Sequence, residues 1–107
     1  MEIRSRATSR VTAADRAADR DLAARCASGD RAAQRDLFAR VKRAVHHRVF
    51  DIVGSNRGME ELLQASFVAI FRAMHGFRGE ASLDAWCASI AAVVAHAHLG
   101  AASSRRA

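Results

Sequence analysis

Proline and tyrosine are absent from the 107-residue chain, and cysteine (Cys26, Cys87), tryptophan (Trp86) and lysine (Lys42) are scarce. Without proline no helical ladder is interrupted, and the abundant alanine is the best helix former, so an all-α fold is predicted and strand-rich folds are excluded. Two cysteines far apart in sequence make no disulfide framework and fit a reducing cytoplasm. No apolar run approaches the ~18–20 residues that cross a bilayer. The N-terminal MEIRSRATSR is not followed by the apolar core of a secretory signal. Missing too are a Gly-rich phosphate loop after a strand, GxSxG and HExxH. His96 and His98 stand two apart, which diverges on a helix, and neither cysteine has a CxxC spacing. No catalytic residue, metal site, cofactor or small-molecule substrate is expected.

What is present is helical periodicity and an uneven charge. Residues 1–57 carry thirteen Lys and Arg against seven Asp and Glu, whereas residues 58–107 carry four against four. A basic half suits an anionic partner, nucleic acid ahead of a membrane surface. An Arg-rich composition with no partner gives the same pattern. The length suits a single core. Residues 1–14 read as a mobile tail, 15–100 as a helical domain and 101–107 as a frayed end.

Four helices are predicted. The first runs from Asp15 to Ser28, with Leu22, Arg25 and Cys26 on one side and Gly29 as its stop. Asp30 caps a second, longer helix to about Val53, whose stripe is Ala33, Leu37, Val41, Val45, Val49 and Ile52, with Phe38 beside it. A Gly54–Gly58 loop leads to a third from Met59, with Glu60 and Glu61 in its first turn and Leu63, Phe67, Ile70, Phe71 and Met74 inward. Gly76 ends it. Ser82 caps a fourth from Leu83 to about Leu99, with Trp86, Ile90, Val93, Val94 and Ala97 on its apolar face and Gly100 as its stop. Short connections make this a compact four-helix bundle.

Four segments in order carry a resemblance: Asp21-Leu22 with Gly29-Asp30; Glu60-Glu61-Leu62-Leu63-Gln64-Ala65-Ser66-Phe67; Phe77-Arg78-Gly79-Glu80; and Trp86 with Ile90-Ala91. Over residues 20–99 the chain resembles conserved region 2 of bacterial RNA polymerase sigma factors of the extracytoplasmic-function (group 4) type. The resemblance implies that Glu60, Glu61 and Gln64 dock on the β′ clamp helices of core RNA polymerase. Without it, the same carboxylates read as solvated first-turn charges. It implies that the loop between the third and fourth helices takes part in promoter −10 recognition and melting by holding an unpaired base. Arg78 would then meet a phosphate, Gly79, Glu80, Ala81 and Ser82 would form the pocket, and Phe77 and Trp86 would wall it. Core packing serves the two aromatics equally well, and basic residues of the second helix either track DNA or face solvent. An anti-sigma protein covering the same surfaces is a further implied partner.

The departures are specific. Gly58 stands where the family commonly has an acidic residue. After Ile90-Ala91 the chain reads Ala92-Val93-Val94-Ala95-His96-Ala97-His98, nearly without donors for base edges. Region 4, which reads the −35 element in the family, has no counterpart in these 107 residues, as expected of either an excised domain or a short relative. A rival reading follows: a sigma-like interaction module that binds polymerase or a regulator without reading DNA sequence.

Overall fold

Thr12 opens the first helix of the computed structural model, which describes residues 12–106. Its hydroxyl accepts the Asp15 N–H at 3.0 Å while the Asp15 carboxylate accepts the Thr12 N–H at 3.2 Å, a reciprocal cap. Helix α1 (Ala13–Ala27) therefore starts two residues before the predicted Asp15, which sits inside its first turn. Of the tail predicted over residues 1–14, Thr12, Ala13 and Ala14 belong to this cap and helix, and residues 1–11 lie outside the described residues. Three further α-helices follow: α2 (Arg31–Val53), α3 (Met59–Ala73) and α4 (Leu83–Arg106). Among the described residues there is no strand.

Helix α2 matches the sequence pattern. Asp30 caps it by accepting the Ala33 N–H at 3.1 Å, and Ala33, Leu37, Val41, Val45 and Val49 are wholly buried along one stripe. Gly54 ends it in the left-handed region at φ 76°, where a side chain would strain the backbone.

The other stripes are displaced from those predicted. In α1 the buried residues are Asp19, Ala23 and Cys26; Arg25 is exposed and ion-paired to Asp21 at 3.0 Å. In α3 the buried face is Met59, Leu62, Ser66, Phe67 and Ile70, while Leu63 and Phe71 are half-buried. Ser66 escapes a hydrophobic scan, yet its hydroxyl is satisfied by the Leu62 carbonyl at 2.9 Å. The α-helix ends at Ala73 and tightens into a 3-10 turn, Met74–Gly76.

Helix α4 is the clearest correction. Its buried face is Leu83, Cys87, Ala88, Ala91, Ala92 and Ala95; Trp86, Ile90 and Val94 only flank it, Ala97 is exposed and Val93 is 68 % exposed. Small side chains let helix axes approach, so the alanines face the helix with which α4 packs most extensively, α2. The bulky residues occupy the margins. Gly100 does not stop α4, which continues to Arg106, because an interior glycine costs only about 1 kcal/mol and is not a stop unless it turns left-handed. The stretch Leu83–Ala101 has a mean hydropathy of 1.2 and the length to span a bilayer, contrary to the sequence expectation. A third of that stretch is buried against the rest of the fold, through the alanine face, and Val93 and Leu99 are exposed.

Candidate functional site: an apolar groove and a braced loop

Glu60, Glu61 and Gln64 are all exposed on the first two turns of α3. Glu60 and Gln64 border a groove of about 1120 Å³ between α2 and α3; Glu61 stands outside its lining, on the side of Gly58. The groove is apolar within and charged at its margin. Phe38 from α2 leans on Phe67 from α3 with ring centroids 4.7 Å apart, and Phe71 extends the cluster at 6.3 Å from Phe67. Phe38 and Val68 are 44 % and 46 % exposed, so large apolar area faces outward. Lys42 Nζ lies 5.8 Å from the Phe38 ring centroid, a cation–π contact. Arg43, His46 and Arg72 complete the basic side of the rim. The sequence placed Phe38 only beside a stripe and missed Val68. The available signal was an apolar residue adjoining each of two consecutive stripes.

The segment between the 3-10 turn and α4 holds the second set of predicted residues. Phe77 is buried and meets Trp86 edge-on, with centroids 5.2 Å apart and planes at 70°. Arg78, Glu80 and Ala81 are exposed. Gly79 is buried at φ 83° under the Arg20 side chain, so close that an added Cβ would lie 2.9 Å from Arg20 Nη1 and 3.1 Å from its Cγ. Ser82 caps α4 by accepting the Ala85 N–H at 3.1 Å. The loop thus presents one cation, one carboxylate and a small residue at its tip, over an aromatic pair.

What fixes this loop was not foreseen. Asp19 on α1 is 6 % exposed. Its Oδ2 accepts the Leu83 N–H at 2.9 Å, and its Oδ1 accepts from Arg40 Nη1 at 3.0 Å. Arg40, on α2, also donates through Nε and Nη2 to Asp84 Oδ1 at 2.8 and 2.7 Å. One guanidinium therefore ties α1 and α2 to the first turn of α4. Burial works against the Arg40 charge, but the hydrogen bonds to Asp19 and Asp84 outweigh it and hold the pKa above its ordinary value.

Burial raises the Cys26 thiol and pushes Cys87 up to about 12, so neither supplies a thiolate near neutrality. Among the described residues no three of His, Cys, Asp or Glu are grouped to hold a metal ion. His46 Nε2 instead lies 3.4 Å from Asn56 Oδ1.

Compared with known proteins, residues 37–105 match the family model for sigma-70 region 2. The match begins within α2 and runs through α4, leaving α1 outside. No curated protein and no solved structure matches the chain.

Proposed function

The chain belongs to the sigma-70 region 2 family, non-enzymatic transcription-factor domains that associate with RNA polymerase and promoter DNA, and on that premise we propose how its two surfaces divide the work. It acts as a region 2 of the extracytoplasmic-function type, in the cytoplasm. The α3 face docks on the clamp helices of the polymerase β′ subunit, and the loop of Phe77–Ser82 receives an unpaired base of the −10 element during melting.

The observation that carries the docking half is the groove beside Glu60 and Gln64. A protein interface has a desolvated apolar centre and a polar rim, with aromatic anchors supplying most of the energy. Phe38, Phe67 and Val68 provide such a centre, and Glu60 and Gln64 part of the rim. Glu61 extends the contact along the first turn of α3. An anti-sigma protein that covers this face would silence the domain by competition.

For the loop, exposed Arg78 supplies the phosphate contact, and Glu80 and Ser82 supply polar atoms beside an aromatic pair. Phosphate contacts position and base contacts specify, so Arg78 sets affinity while Glu80 and Ser82 set preference. A second reading, an interaction module without base reading, draws on one observation. Of the outward residues between Ala91 and Leu99 on α4, Val93, Ala97 and Leu99 bring no hydrogen-bond donor to a duplex and only His96 and His98 carry one.

Capture on a β′ clamp-helix fragment tests docking. Glu61→Arg and Gln64→Ala should weaken it while shifting stability by less than about 0.5 kcal/mol. Undiminished capture of both variants removes the docking assignment. Anisotropy with single-stranded −10 oligonucleotides separates the two readings: a base preference supports the first, and sequence-blind, purely salt-dependent binding supports the second.

A further inference from the structure

We propose that Asp19 is a positioning residue for base selection: from α1, outside the family-matched stretch, it holds the base-receiving loop in its selective shape through Leu83 and Arg40. The inference rests on the proposed role of the Phe77–Ser82 loop and assigns the residue that sets its geometry.

The loop ends at Leu83, whose N–H is one of the orphan donors at the start of α4. Ser82 satisfies the Ala85 donor locally. Asp19 satisfies the Leu83 donor from across the fold, 64 residues away in sequence. The same carboxylate holds Arg40, which holds Asp84. Its neighbour Arg20 lies over Gly79, at the middle of the loop. Two consecutive residues of α1 therefore fix the loop at its end and its centre, and Phe77 against Trp86 fixes its beginning. The exposed Arg78, Glu80 and Ala81 project from this braced backbone. Reading a base edge demands atoms held within a fraction of an ångström, whereas meeting a phosphate demands only a nearby cation. Loss of the brace should therefore erase discrimination before it erases binding.

Asp19→Asn tests this with little change of shape. Its amide offers one acceptor where two donors converge, so one of the two bonds becomes donor against donor. The measurement is anisotropy of the 107-residue chain with labelled single strands that differ at one base, well below the melting temperature of every variant. The preference ratio should fall about tenfold, the worth of one hydrogen bond to a charged group. Affinity for the disfavoured strands and the salt slope should stay as in the parent. Arg40→Lys should lose less, since an ammonium keeps the charge but cannot bridge both carboxylates. Amide exchange at Leu83 should quicken by about tenfold in Asp19→Asn. Val45→Ala, a core truncation outside the hydrogen bonds of the brace, should lower the melting temperature and keep the ratio.

If Asp19→Asn retains the parent's ratio, or Leu83 exchange is unchanged, the proposal is overturned. It is overturned too if Val45→Ala lowers the ratio as far, because simple destabilisation then explains the effect. A parent that shows no base preference overturns the proposal together with the loop reading, and a quickened Leu83 exchange would then identify the loop reading as the failed step.

Discussion

The groove and the loop sit on one helical frame and are built by opposite means. Between α2 and α3 the chain leaves aromatic and aliphatic area uncovered, with Phe38 and Val68 about half exposed and little side-chain hydrogen bonding to fix them. At the start of α4 it does the reverse: every ordered polar atom of Asp19, and three donors of Arg40, are engaged. Apolar area tolerates some freedom, because a partner that covers it gains from dehydration whatever the fine geometry. On the proposed function, a pocket for a single base does not, and polar bonds define it. Under that reading the contrast separates a surface for adhesion from a surface for discrimination.

The largest expected effect would break both surfaces together. Phe67 floors the groove and belongs to the core, so Phe67→Ala should cost about 3–4 kcal/mol of stability in urea unfolding. A parent-like midpoint would mean that the groove does not share the core's packing. Next, Asp19→Ala should cost about 1–3 kcal/mol, since it leaves the Leu83 donor unpaired and Arg40 with Asp84 as its one remaining carboxylate. Capture on the clamp-helix fragment should survive at temperatures where the variant is folded. Loss of capture there would show the two regions to be coupled, against the division drawn above.

A smaller effect sharpens the groove's side. Phe38→Ala should change stability by less than about 1 kcal/mol, because the ring is nearly half exposed, yet weaken clamp-helix binding by about 1–2 kcal/mol in titration calorimetry. Equal affinities would leave the groove without a docking role. The smallest effect concerns how dry the loop's end is. The Cys87 thiol, one turn beyond Leu83, is raised by burial from 9.0 to about 12. Its unfolded form ionises first, so the thiol's contribution to stability is complete below pH 9 and declines as pH rises towards 12. Cys87→Ala should flatten that part of the stability profile in alkaline melts, and an unchanged slope would mean that water reaches the site.

The helices of this fold were legible because their caps and periods are local. The α2 stripe repeats valine every fourth residue, and Asp30 and Gly54 bracket it. The α3 stripe was legible at Phe67, Ile70 and Met74, but Ser66 and the alanine face of α4 were not, for one physical reason: close helix packing selects small residues, and Ser66, Ala91 and Ala95 carry no hydrophobic signal to match Leu63 or Val93. At the groove's margin, Glu60 and Gln64 were singled out by the resemblance to sigma region 2 and not by any local chemistry, while Phe38 was placed only beside a stripe. Asp19 was illegible. On an alanine-rich helix full of charges it looks like any solvated carboxylate, and its partners lie 21 and 64 residues away. Distant pairings leave no trace in a local window.

The separation between Asp19 and Leu83 also orders events in time. At a synthesis rate of about 5–20 residues per second, 64 residues take roughly 3 to 13 s to follow. Helices α2 and α3 are both made within that interval, and Phe67 precedes Leu83, so the ring pair Phe38–Phe67 can close first. On the proposed division of the two surfaces, a nascent chain would acquire its adhesive face before its discriminating one, and any partner present at the ribosome would meet a domain able to dock but not yet able to choose.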